Sequence, residues 1–156
     1  MDPANPVVKL CAEGMTAESE GRSSDAKALF EEAWNASSDD FEACIAAHYV
    51  ARHQPTMEAA FHWNQEALRR ADAVPDERVR EFYPSLYLNV AHSLERLGKL
   101  VEARHYYSLA AARLDDLSPG SYANLVRVGV VAGHNRTGVF TRSLVPTMTR
   151  TRRRPS

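Results

Sequence analysis

Apolar residues recur along this chain at three- and four-residue intervals, in blocks separated by glycine, proline or short polar runs. That period places them on one face of an α-helix, and no stretch alternates apolar and polar residues as a half-buried strand would. In SDAKALFEEAWNA, for example, Ala26, Leu29, Phe30 and Ala33 fall at i, i+3, i+4 and i+7. Asn5-Pro6 supplies a cap and a first-turn proline for a helix over 6–20, which Gly21 ends. Asp39 with Glu42 makes a capping-box pattern ahead of FEACIAAHYVARH. Pro55-Thr56 opens a helix running to 74, and a further helix over 78–97 contains Pro84, which either starts or kinks it. Leu100 to Leu114 is the next, and Ser118-Pro119 caps a seventh ending near Gly133. The pattern predicts an all-α fold.

Two of these helix pairs read alike. Leu10, Gly14, Ala17, Gly21, Ala26, Phe30 and Ala33 match Tyr87, Ala91, Leu94, Gly98, Ala103, Tyr107 and Ala110 at every offset. Antiparallel helices approach to 8–10 Å where small side chains meet. Gly14/Ala91 and Ala26/Ala103 supply those crossings, Phe30/Tyr107 fill the space around them, and Gly21/Gly98 end the first helix at positive φ. On these positions the chain resembles the tetratricopeptide repeat, a helix–turn–helix unit of about 34 residues. The resemblance implies an α-solenoid of about three repeats, over 7–40, 41–74 and 84–117, with a capping helix over 119–132. The middle unit departs from the family pattern at His48, Pro55 and Asn64. The insertion PDERVREFY (75–83) is expected to lengthen the neighbouring helices. A generic bundle with alanine-rich interfaces is the alternative fold.

In that family the first helix of each repeat lines a concave groove that receives partner segments. Carried over residue by residue, the groove positions are Met15 and Glu18 from the first unit, with Val8, Cys11 and Ser19 around them. Ile45, Tyr49, Arg52 and His53 follow from the second unit, with Glu42, and Leu88, His92, Glu95 and Arg96 from the third, with Ser85. The set runs from apolar near the helix starts to charged near their ends, which suits a peptide with hydrophobic anchors. Some family members clamp a terminal carboxylate with lysine and asparagine; Cys11 and Met15 stand at those positions here, which argues against that clamp. The same apolar band could instead be filled by the chain's own cap helix or by a second copy.

Charge changes the picture only at one end. The 156-residue chain has a formal net charge of -1, yet from His134 onward it carries six arginines and no acid, leaving an acidic body. Segment 134–156 is expected to be a disordered basic tail, whether native or the product of truncation or a frame change. Clustered arginines offer nucleic acid or an acidic surface as partners, but Phe140 is the only aromatic beside them. Cys11 and Cys44 form no CxxC pair, no basic-then-apolar leader is present, and no run of 18 apolar residues occurs, so a reduced, cytoplasmic setting is expected.

Signatures of chemistry are missing. There is no HExxH, no zinc-spaced Cys/His set, no GxSxG and no phosphate-cradling glycine loop. The acidic pairs Glu31-Glu32, Asp39-Asp40 and Asp115-Asp116 lie near helix ends, where capping carboxylates are common. No enzyme, cofactor or metal is expected. The function anticipated is a non-enzymatic protein–protein interaction module. The alternatives are a homo-oligomer pairing through an apolar cap of Val126, Val128, Val130 and Val131, or association of the tail with nucleic acid.

Overall fold

The computed structural model describes residues 2–142, and among them every regular element is helical. Seven α-helices follow in order: α1 (Pro6–Ser19), α2 (Ser23–Ala36), α3 (Asp40–Val50), α4 (Met57–Ala73), α5 (Tyr83–Arg96), α6 (Leu100–Ala112) and α7 (Ser121–Arg142). Short 3-10 turns sit at Ala51–His53, Glu77–Phe82 and Leu114–Asp116. No described helix is long and apolar enough to cross a membrane.

The helix starts are set by side-chain caps. Asn5 accepts hydrogen bonds from the Val7 and Val8 amides, and its own amide donates to Glu42 at 2.6 Å, tying the start of α1 to that of α3. Asp39 accepts from the Glu42 amide, while Glu42 reaches back to the Ser38 amide at 2.7 Å. These bonds hold the Glu42 carboxyl below its ordinary range, the Ser38 amide contributing most. Thr56 caps α4, and Pro84 stands in the first turn of α5, so it starts that helix rather than kinking it.

The two aligned glycines do the same job. Gly21 (φ 76°) and Gly98 (φ 75°) are the only described residues at positive φ. In each turn the following residue's amide bonds back six-to-one, Arg22 to Ala17 and Lys99 to Leu94.

Each helix packs on its neighbours in sequence, and α1–α2, α3–α4 and α5–α6 form the closest pairs. Ala17, Ala26, Ala33, Ala47, Ala67, Ala91, Ala103 and Ala110 are wholly buried at these junctions. Phe30 lies against Gly14, and Tyr107 lies against Gly133 of α7, so closely that a methyl group at either glycine would overlap the ring. Asn64 stands where its counterparts in the aligned units are aromatic; it donates from the buried space between α4 and α5 to Ser93 Oγ at 2.9 Å.

Three sequence expectations are corrected. The insertion does not lengthen its neighbours: it forms the 3-10 turn Glu77–Phe82, whose Arg80 pairs with Asp116 at 2.7 Å. The last helix does not stop at 132 but continues to Arg142, so 134–142 belongs to α7 and not to a tail. Val126 and Val130 are buried under α7, leaving only Val128 and Val131 of the anticipated apolar cap exposed. The disorder expected beyond Arg142 concerns residues outside the described ones.

Replacing Gly14 by alanine is expected to cost about 1–3 kcal/mol through overpacking, even though alanine is the better helix former by about 1 kcal/mol. Urea denaturation checks this, and a double-mutant cycle with Phe30→Leu should come out non-additive, because the two changes act on one contact.

Candidate functional site

Helices α1 and α3 pack together, as do α5 and α7, but α3 and α5 make far less direct contact. A cavity of about 680 Å³ opens between them. Its walls come from Met15 of α1, from α3 and the turn after it, from Glu81 and Phe82 of the insertion, from Ser85 and Leu86, and from residues 117–122 leading into α7. Ser118 donates to Glu81 at 2.5 Å, fastening the last of these segments to the insertion.

Four of the ten predicted site residues line this cavity: Met15, Ile45, Tyr49 and Arg52. Tyr49 is stacked on Phe30, with ring centroids 5.1 Å apart, and the Arg52 guanidinium lies 5.9 Å from the centre of its ring. Glu18 and His53 are bound beside Arg52: Glu18 takes Arg52 at 3.0 Å and the His53 imidazole at 2.7 Å.

Of the third unit's set only Ser85 lines the cavity; α7 packs over Leu88 and Glu95. Leu88 packs against α7 at Gly129. Glu95 accepts from Arg136 of α7 at 2.6 Å and from the Tyr107 hydroxyl, which holds its carboxyl below the ordinary range, while burial and then the bond to Glu95 push the Tyr107 hydroxyl up. His92 and Arg96 are exposed and outside the cavity.

His48, read from sequence as a crowded departure from pattern, is part of the cavity wall. The Asn89 amide reaches its Nδ1 at 3.2 Å across the gap between α3 and α5. Burial, with Arg52 nearby, pushes the imidazole from its ordinary 6.5 down to about 4, so it stays neutral at physiological pH. The buried thiols of Cys11 and Cys44 are pushed up to about 12 and are correspondingly inert. Phe82, Leu117, Pro119 and Tyr122 were also missed, being contributed by an insertion and a connection that repeat periodicity cannot place. The signal available was the interruption of the repeat register at 75–83.

Among the described residues no three of His, Cys, Asp or Glu gather where they could hold a metal ion. The cavity combines apolar walls with a few directional groups, an arrangement suited to recognition. No protein-family model, no curated protein and no solved structure matches this chain.

His48 gives the fold a measurable pH dependence. Between pH 7 and 5 the unfolded chain takes up a proton at His48 that the folded chain refuses, so stability falls with pH, by about 2 kcal/mol over that interval. Denaturant titrations at pH 7, 6 and 5 should show this slope, and His48→Gln should flatten it.

Proposed function

We propose that the chain is a tetratricopeptide-like solenoid acting as a non-enzymatic interaction module, and that the cavity between α3 and α5 receives a short apolar segment of a partner protein. The observation that carries this reading is the cavity itself, at about 680 Å³ within the 300–1,000 Å³ typical of ligand sites. Its apolar walls, Met15, Ile45, Tyr49, Phe82, Leu86 and Tyr122, would take the segment's side chains. A neutral His48 would offer a ring nitrogen to the backbone of that segment, a bond that needs no countercharge. The match between the two aligned helix pairs, extending to both left-handed glycine turns, supports the repeat assignment. The unpaired, buried cysteines suit a reducing compartment, and the cytoplasm is the setting we assign.

Selection of a displayed random-peptide library on the full chain tests this. Met15 is 46% exposed, so a charge there should not disturb folding. Selected peptides should bind Met15→Glu at least tenfold more weakly, a loss of about 1.4 kcal/mol, and should bind Val101→Glu unchanged. Val101 is exposed and lies outside the cavity. Peptides indifferent to Met15→Glu would remove the cavity as the receptor.

A further inference from the structure

The last acid in the chain is Asp116, and from Leu117 onward there are seven arginines and no countercharge. The fold sets the second half of α7 beside the turn at Gly98, where α5 ends and α6 begins. Arg136 bonds Glu95 of α5 at 2.6 Å, and the Arg104 side chain of α6 lies against Gly138. Arg96 and Lys99 flank Gly98 and are exposed, as are His92 and His105 in the same stretch. Five cations, Arg96, Lys99, Arg104, Arg136 and Arg142, thus gather at one end of the last three helices, against two acids, Glu95 and Glu102. Glu95 is already taken up by Arg136, and among the described residues no acid pairs with Arg96, Lys99 or Arg104. The chain leaves α7 from this end, and 143–156 adds four more arginines.

We infer that this end of the fold binds the phosphate backbone of duplex nucleic acid, without reading its sequence. The charge pattern selects that partner. Eight of the nine cations are arginines, whose planar guanidinium grips a phosphate through two parallel hydrogen bonds. They are strung over three helices and on into the following chain, so their counterpart is a polymer and not a single anionic group. A duplex carries one negative charge per ~1.7 Å of its axis, whereas an extended acidic peptide offers at most one per ~3.3 Å. Single strands gain affinity from bases stacked on aromatic rings, and among the described residues no exposed aromatic side chain accompanies these cations. A bilayer surface draws on apolar side chains beside the basic ones, and from His92 to His105 only Val101 is large, apolar and exposed. The acidic remainder of the body repels a duplex elsewhere. None of this rests on the cavity or on what occupies it.

Fluorescence anisotropy of a labelled duplex of arbitrary sequence, titrated with the full chain, tests the inference. Binding should weaken about 10³-fold between about 50 and about 200 mM salt, the dependence expected of about six phosphate contacts. The double variant Arg96→Gln, Lys99→Gln should keep its circular dichroism spectrum, lose about 100-fold in affinity at low salt, and lower the salt slope by about two. Lys27→Gln, on α2, should bind like the parent. A single strand of the same length should bind more weakly than the duplex. A chain that binds no duplex at low salt overturns the inference. So does a double variant that binds like the parent, which would leave the arginines beyond Arg142 as the whole contact. Displacement of the duplex by polyglutamate or by phosphatidylserine vesicles at equal charge also overturns it, and would assign the surface to an acidic protein or to a lipid.

Discussion

Helices lie as close as these do only where the side chain at the crossing is a methyl group or a hydrogen atom. Everything else in the structure follows from meeting that constraint repeatedly. Alanines at the junctions let the backbones approach, and in the two aligned units an aromatic ring, Phe30 or Tyr107, then fills the space beside the contact. Phe30 against Gly14 and Tyr107 against Gly133 are the tightest instances, and in both the ring lies where a methyl group would have to be. Tyr107 adds a polar handle that Phe30 lacks. Its hydroxyl reaches Glu95, which also holds Arg136, so the same ring that spaces α6 from α7 helps fasten α7 to α5. A core made this way gains little from any one side chain and depends on many small ones being absent.

The insertion interrupts this regular packing and supplies part of the cavity wall. It is itself braced: Arg80 and Arg113 both hold Asp116, Tyr83 donates to Asp72 at 2.8 Å, and Ser118 donates to Glu81. The cavity is therefore framed before any ligand arrives. Its walls come from three helices, one of each pair, an insertion and the connection to α7, and five distinct segments must be in register for it to exist. The Asn89–His48 bond crosses the gap they enclose.

Local signals were legible in the sequence to the extent that local physics decides them. Asn5, Asp39 and Thr56 cap the helices they precede, Gly21 and Gly98 adopt the positive φ that only their position demands, and the small residues at Ala26 and Ala103 are wholly buried. The candidate site was half legible. Met15, Ile45, Tyr49 and Arg52 came from helical register alone, which places side chains on a face. Leu88 and Glu95 share that register, yet α7 covers them, and a long-range packing choice leaves no mark on the period of α5. His48 and Asn64 looked like exceptions because their partners, Asn89 and Ser93, sit dozens of residues away.

The gap between α3 and α5 has a meaning for how the chain unfolds. Neighbouring helix pairs in a stacked array stabilise one another across their shared faces, and cooperativity is the sum of those couplings. At this junction the coupling runs mainly through α4 and α5, with Asn64–Ser93 and His48–Asn89 as polar ties. The cavity thus opens on one side of a junction that the buried cluster of Cys44, Ala47, Ala67, Ala71 and Leu86 closes on the other. Anything lodged in it would touch both helix pairs and add to the coupling between them.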